Sequence, residues 1–253
     1  MVLSPDSNNN LADHVAFGKQ VAVVSDNQRV SRAALDILAA GGSAVDAHIA
    51  AAAVQTVVQN GLTSIGGVYS ATVFDVATDS TSSVLGSIGS AYSDDYANYE
   101  QHSVEGFSGR GMPIPGWVAG AYAAWERWGR LEWKALFEKA ITYAEEGFVL
   151  DATTYPLVTH LFATRFPEGQ AIWMRDGRLL SVGDSVYQTA LGKTLRALAS
   201  DGPEAFYEGE FAQHYVARAN SMGGGSPWKI CRPGGKGRQW LMFYWRGISE
   251  VTK

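Results

Sequence analysis

The sequence of 253 residues predicts an α+β protein whose second half is mostly helical. Three observations lead to this class. Residues 44–58 are almost all small and apolar, as in a helix that is buried on most faces. Residues 68–76 (VYSATVFDV) alternate and are rich in strand formers. Beyond residue 116, apolar residues recur at helical spacing in four separate stretches.

The first elements are predicted as one strand and two helices. The short apolar run at 21–25 (VAVVS) suits a buried strand. The stretch 31–42 (SRAALDILAAGG) has apolar residues at helical spacing, and its glycine pair suits a helix end. Ser43, followed three residues later by Asp46, resembles a capping box and predicts the start of the helix at 44–58.

The next stretch predicts a hairpin, and the remainder predicts turns and helices. Residues 61–67 (GLTSIGG) form a turn, and 77–80 (ATDS) connect the strand 68–76 to a return strand at 83–87. Residues 113–116 (PIPG) predict a rigid turn. The four helical patterns that follow lie at residues 118–128, 133–146, 188–199 and 209–220.

Composition excludes several classes of function. The net charge of −5 gives no reason to expect a nucleic acid or an anionic membrane as a partner. A single cysteine excludes a disulfide framework, and five histidines without a close pair at ligand spacing indicate no metal site. The first residues lack the basic and apolar regions of a signal peptide, so a cytoplasmic location is expected.

The glycine pair Gly66 and Gly67 has two interpretations. Its backbone N–H groups could face an anion or an oxyanion. It could equally be a tight turn before a strand, and taken alone the turn is favoured. No complete set of catalytic side chains is evident from the residues alone.

Five stretches, in one order along the chain, nevertheless form a recognisable pattern. They are SRAALDILAAGGSAVDAHIAAAAVQTVV (31–58), SIGG (64–67), PIPGWVAG (113–120), WGRLEWKALFEKAITYAEEGFVL (128–150) and QTALGKTLRALASDGPEAFYEGEFAQ (188–213). Together they resemble the large-subunit portion of the γ-glutamyltransferase (γ-glutamyltranspeptidase) family. Ser43 stands where that family often has Asn.

The resemblance implies an N-terminal-nucleophile (Ntn) hydrolase with an αββα sandwich, of which this chain is a truncated part. In that family a precursor cuts itself, and the new N-terminal threonine of the small subunit becomes the nucleophile, with its own α-amine as base. The implied chemistry is amide hydrolysis or acyl transfer without a cofactor or a metal. The implied partners are a small-molecule amide and a small subunit from the same precursor. No threonine in a family-like cleavage context is present, so this chain alone is expected to be inactive.

The resemblance also suggests which residues line the acyl site. These are Ser64, Gly66 and Gly67 of the SIGG turn, and the loop at 86–92 with Ser87, Ile88 and Ser90.

Ile88 falls where γ-glutamyltransferases have an arginine that grips the substrate α-carboxylate. An aliphatic side chain cannot pair a carboxylate, so the resemblance indicates a non-glutamyl amide substrate, as in oxamate amidohydrolase-like members. Arg110 could substitute as an anion anchor, although a solvated loop arginine is the favoured interpretation.

The last 28 residues (226–253) differ from the rest of the chain. They hold three of the eight tryptophans and six of the 20 basic residues but only one acidic residue. With a one-nucleotide shift and allowed codons, SPWKICRPGG can be read as LTLEDLQAWR, which resembles the family's continuation. The hypothesis is therefore a polar arm at 1–18, a family-like region at 19–225 and a frameshifted tail at 226–253.

Two other functions stay open at this point. One is a true γ-glutamyltransferase or glutathione hydrolase that places its arginine elsewhere. The other is a non-catalytic binding protein, or the product of a decayed gene, which would require a genuine tail.

Overall fold

The computed structural model describes residues 18–89, 109–156 and 162–223. The chain divides into two compact units. The first comprises Met1–Thr63 and Trp128–Gly192, and the second comprises Ser64–Arg127 and Lys193–Lys253. The tail at 226–253 and all but the last residue of the predicted N-terminal arm lie outside the described residues.

The described elements are helices and short antiparallel strand pairs. The α-helices are α1 (Gln28–Ala39), α2 (Ala44–Val58), α3 (Trp117–Trp128), α4 (Glu138–Glu145), α5 (Pro167–Trp173), α6 (Thr189–Asp201), α7 (Pro203–Tyr207) and α8 (Glu210–Ser221). The strands are β1 (Tyr69–Asp75), β2 (Ser80–Gly86), β3 (Phe148–Val149), β4 (Met174–Arg175), β5 (Arg178–Leu179) and β6 (Ser185–Val186). Short 3₁₀ turns lie at Gly109–Gly111, Trp133–Phe137 and Phe162–Arg165.

Helix α2 is the centre of the first unit, and its predicted bounds are confirmed. Its capping box is also confirmed: the Asp46 N–H donates to Ser43 Oγ at 3.0 Å, and the Ser43 N–H donates to the Asp46 carboxylate at 2.8 Å. Ile49 and Val54 are fully buried. Gly41, at φ +89°, ends the turn after α1 in the left-handed conformation that glycine adopts readily.

The strand predicted at residues 21–25 is wrong. These residues have no regular secondary structure, and Val24 is 96% exposed. Their main-chain groups make no main-chain hydrogen bond to any residue in the described ranges. An apolar, β-branched run favours a strand only where a neighbouring strand pairs with it, and the described residues supply none here.

The second half of the first unit is less regular than predicted. The helix expected at 133–146 begins as a 3₁₀ turn and becomes α4 only at Glu138. Two strand pairs, β3 with β6 and β4 with β5, were not predicted. Asp176 and Gly177 connect β4 to β5 with φ of 53° and 75°, which is the Asp-Gly hairpin signal.

The second unit contains the predicted hairpin. Strands β1 and β2 pair in register from Tyr69 opposite Gly86 to Asp75 opposite Ser80. The Asp75 carboxylate closes the loop by accepting from the Ala77 N–H at 2.9 Å. Tyr69 is buried and lies edge-on to Trp117 of α3, with 6.0 Å between ring centroids. The second unit therefore packs α3 against one face of the hairpin.

Candidate active-site wall

Two of the predicted family motifs and the predicted acyl-site loop meet in the second unit. We call residues 64–67, 86–89 and 113–116 the turn cluster. The whole hairpin and the segment that follows it lie between residues 64 and 116, yet each stretch is hydrogen-bonded to another. None of these residues has an ionisable side chain.

The first stretch is a tight turn. Ser64 Oγ accepts from the Gly66 N–H at 3.0 Å, and the Ser64 carbonyl accepts from the Gly67 N–H at 3.0 Å. Ile65 is buried, whereas Ser64 is exposed. Both glycine amides donate within the turn, as the turn interpretation of the sequence predicts.

The Gly67 carbonyl connects this turn to the start of α3. It accepts from the N–H groups of Gly116 at 3.0 Å and Trp117 at 2.9 Å. The first N–H groups of a helix have no partner inside the helix and carry its partial positive charge. A main-chain carbonyl therefore occupies a position where an anionic ligand would otherwise be attracted.

The second and third stretches form a two-residue antiparallel bridge. The Gly89 N–H donates to the Ile114 carbonyl at 3.1 Å, and the Ile114 N–H donates to the Gly89 carbonyl at 2.7 Å. Ile88 directly precedes this bridge and is 46% exposed. Ser87 is also exposed, and its Oγ donates to the Ile88 carbonyl at 3.2 Å. The bridge thus fixes the backbone that presents the Ile88 side chain.

Glycines allow this close approach. A Cβ atom on Gly86 would lie 2.2 Å from the Gly116 carbonyl oxygen, and one on Gly116 would lie 2.1 Å from the Ser87 carbonyl oxygen. A Cβ on Gly120, one turn into α3, would lie 2.9 Å from the Gly86 Cα. Backbone packs directly on backbone here, and no larger residue fits without displacement.

Tyr69, which pairs with Gly86 across the hairpin, is a buried neutral group beside the cluster. Burial raises the pKa of the Tyr69 phenol above its usual range, so this side chain stays protonated at physiological pH.

Two predicted site residues cannot be placed in this cluster. Ser90 lies outside the described residues. Arg110 belongs to the 3₁₀ turn Gly109–Gly111, but its side chain is outside the described part of the structure. Its role as an anion anchor stays a prediction, as do the substrate-binding roles of Ser64, Gly66, Gly67, Ser87 and Ile88.

Two tyrosines that were not predicted as site residues reach the third stretch. Tyr207 Oη donates to the Pro115 carbonyl at 2.8 Å, and Tyr215 Oη donates to the Pro113 carbonyl at 2.6 Å. Tyr207 stands in the FYEG motif, but no local pattern connects that motif to a proline turn more than 90 residues earlier.

The described part of the chain offers neither a metal-binding cluster nor a membrane-spanning helix. No group of three His, Cys, Asp or Glu side chains there could hold a metal ion. No helix in the described ranges is long and apolar enough to cross a bilayer.

Comparison with known proteins places the chain in a family. The family model for gamma-glutamyltranspeptidase matches residues 30–227. The chain belongs to the gamma-glutamyltranspeptidase family. Glutathione hydrolase 3 of Arabidopsis thaliana is 32% identical over 212 residues, which cover 80% of this chain and 32% of that protein. The chain thus spans about a third of the length of the curated relatives it matches.

Solved structures support the same assignment. The gamma-glutamyltranspeptidase from Pseudomonas nitroreducens, complexed with L-DON, superposes with a TM-score of 0.74 at 25% identity, over 85% of this chain and 65% of that one. The Helicobacter pylori gamma-glutamyltranspeptidase gives a TM-score of 0.77 at 21% identity, over 86% and 64%. The predicted α+β class and the relation to Ntn hydrolases are confirmed. Members of the gamma-glutamyltranspeptidase family are hydrolases and transferases processed into large and small subunits.

Proposed function

We propose that this chain is the large-subunit part of an autoprocessing amidohydrolase or acyltransferase, and that the turn cluster forms one wall of its acyl site. The observation that supports this most is the convergence of the motifs at 64–67, 86–89 and 113–116 into one hydrogen-bonded unit. The segments at 64–67 and 113–116 resemble family motifs, whereas 86–89 departs from the family pattern at Ile88. Together the three segments present exposed Ser64, Ser87 and Ile88 with main-chain atoms.

In the proposed reaction, a threonine on the small subunit attacks the amide carbonyl carbon through its Oγ. Its own α-amine takes the hydroxyl proton and passes it to the departing amine. Water or an amine acceptor then cleaves the acyl-enzyme ester, which releases the acyl group and regenerates the threonine. This chain would supply binding surface, because the nucleophile is expected on the small subunit.

We further propose that the acyl group is not γ-glutamyl. The exposed side chain at the end of the second stretch is Ile88, and the turn cluster has no cation to pair with an α-carboxylate. A carboxylate that loses water without gaining a partner is strongly disfavoured. This surface fits a small amide with an uncharged acyl end near Ile88 better than it fits a γ-glutamyl substrate. It also fits a monoamide whose carboxylate is held elsewhere.

Glutathione hydrolase activity is the second candidate. It is favoured by the names of the relatives, including the one that is 32% identical. That activity requires an arginine from outside the turn cluster to bind the α-carboxylate.

One experiment separates these candidates. The gene is resequenced through the codons for residues 223–235 and beyond, and the complete reading frame is expressed. Turnover of γ-glutamyl-p-nitroanilide is then compared with turnover of dicarboxylate monoamides such as oxamate. Preference for the monoamides supports the proposal, and preference for the γ-glutamyl substrate supports glutathione hydrolase. Absence of turnover on every amide favours the non-catalytic binding protein.

Two variants of the complete enzyme sharpen the test. Ile88→Arg should improve kcat/KM for the γ-glutamyl substrate by about tenfold or more, because a guanidinium can bind the carboxylate in a bidentate manner. Leu85→Arg is the matched control, since Leu85 is an aliphatic residue of similar exposure, 39% against 46%, three positions earlier and outside the cluster. Equal effects of both variants would contradict an acyl-site role for Ile88.

A further inference from the structure

Helices α7 and α8 contact the proline turn and the segment before it at three points. The Gly109 N–H donates to the Met222 carbonyl at 2.8 Å, just beyond the end of α8. Tyr215, seven residues or about two turns earlier, donates from its hydroxyl to the Pro113 carbonyl at 2.6 Å. Tyr207, at the end of α7, donates to the Pro115 carbonyl at 2.8 Å. The segment is therefore held at the Gly109 N–H and at the carbonyls of both of its prolines.

Tyr207 has an additional role at the start of α3. Its Oη accepts from the Ala119 N–H at 3.1 Å, and Ala119 is the third residue of that helix. An N-cap side chain usually accepts this bond. The residue at the cap position is Gly116, which has no side chain, and a Cβ there would collide with the Ser87 carbonyl. Tyr207 therefore supplies from another helix the oxygen that the cap residue cannot provide.

The two tyrosine rings are held in place by other aromatic rings. Phe206 stacks on Phe211 with 4.2 Å between centroids, and Phe211 stacks on Tyr215 at 5.6 Å. Phe206 also contacts Tyr207 edge-on at 5.1 Å. Such aromatic contacts favour defined ring orientations. The hydroxyl groups are consequently presented to the prolines from a preorganised support.

The proline turn, residues 113–116, also positions the other two stretches of the cluster. Ile114, between the two prolines, pairs with Gly89 next to Ile88. Gly116 and Trp117 donate to the Gly67 carbonyl of the SIGG turn. A shift of the proline turn would move both segments of the acyl-site wall, since it is hydrogen-bonded to each.

We infer that the hydroxyls of Tyr207 and Tyr215 are positioning groups that set the geometry of the acyl-site wall through the Pro113 and Pro115 carbonyls. The link to substrate rests on the proposed function, whereas the link to the turn does not. The two hydroxyls act on the wall through the backbone, and they do not contact the reacting atoms.

The first test measures amide hydrogen exchange by mass spectrometry in the full 253-residue chain, without substrate. Tyr207→Phe and Tyr215→Phe each remove one hydroxyl and keep the ring. In both variants, exchange at Gly89, Ile114 and Gly116 should accelerate about tenfold, as expected when one hydrogen bond to the turn is lost. Amides of α2, in the other unit, should be unchanged.

Tyr187→Phe is the matched control, because Tyr187 is a tyrosine of the first unit with a 47% exposed side chain. It should leave exchange in the turn cluster unchanged. Uniform acceleration of all slow amides in Tyr207→Phe and Tyr215→Phe, or no change at the cluster, would overturn the inference.

The second test measures steady-state kinetics of the same variants in the complete enzyme. A displaced wall should raise KM for the acyl donor about tenfold and leave kcat within about twofold, because the groups that react are not touched. A fall in kcat with unchanged KM would contradict positioning of the acyl site. If wild-type enzyme turns over no amide, the proposed function fails, and the exchange experiment still decides whether the tyrosines position the turn.

Discussion

Asp46 offers the sharpest test of how the first unit is stabilised. Its side chain is completely buried at the start of α2. Its Oδ2 accepts from the Ser43 N–H at 2.8 Å, which is the capping-box bond. The same oxygen accepts from the N–H groups of Arg130 at 2.9 Å and Leu131 at 3.3 Å, 84 and 85 residues further along the chain. One carboxylate thus caps a helix and attaches a distant loop to it.

The cost of Asp46→Ala follows from these bonds. Loss of the cap bond at Ser43 costs about 1 kcal/mol. The bond from Arg130 is short and charge-assisted, so its loss costs about 2 kcal/mol. The longer bond from Leu131 adds up to about 1 kcal/mol. The three bonds together give an expected loss of about 3 to 4 kcal/mol.

The assay is urea unfolding at neutral pH, followed by far-ultraviolet circular dichroism. Asp36→Ala is the control, because the Asp36 carboxylate pairs with Lys139 at 3.2 Å on a half-exposed surface and its loss should cost at most about 1 kcal/mol. Asp46→Asn keeps one acceptor oxygen but loses the charge, so its cost should be intermediate. Equal costs for Asp46→Ala and Asp36→Ala would refute the reasoning.

Two further predictions concern the Arg29–Asp151 ion pair and the packing of two helix glycines, Gly120 and Gly192. Burial alone would raise the pKa of Asp151, but hydrogen bonds from Thr154 and Arg29 hold it below its usual 3.8. The carboxylate form is therefore favoured in the folded state, and Arg29→Met should cost about 1 to 2 kcal/mol at neutral pH. That difference should be fully present above the unfolded-state pKa and be lost as the pH falls through the lower folded-state pKa. Urea titrations should therefore give a smaller difference at about pH 3 than at pH 7. Gly120→Ala places a Cβ against strand backbone and should cost about 1 to 3 kcal/mol. Gly192→Ala is the matched control, because it is also in a helix and its Cβ would meet only a flexible glutamate side chain. It should be neutral or stabilising by up to about 1 kcal/mol. Thermal melts of the two variants would distinguish these outcomes.

Local patterns account for what was predicted correctly. The capping box of Ser43 and Asp46, the helix that follows and the β1–β2 hairpin each depend on residues a few positions apart. Their geometry is therefore decided by backbone preferences and by short-range hydrogen bonds. The family motifs are likewise contiguous stretches, so the family could be recognised without coordinates.

The site required information that no local pattern contains. The SIGG turn and the proline turn each have a clear sequence signal, but their bond through the Gly67 carbonyl does not. The tyrosines that hold the proline turn lie in another helical pair, and an isolated tyrosine gives no sign of which carbonyl it will reach.

By itself, the sequence determined the fold class, the first helical pair, the hairpin and the membership of the gamma-glutamyltranspeptidase family. Tertiary structure decided that the 21–25 run is exposed, that Asp46 also holds the loop at Arg130, and that Tyr207 replaces the missing cap oxygen of Gly116. The physical reason is the range of the interactions. Periodicity and capping act within a few residues, whereas burial, strand pairing and the choice of a hydrogen-bond partner depend on segments that only the folded chain brings together.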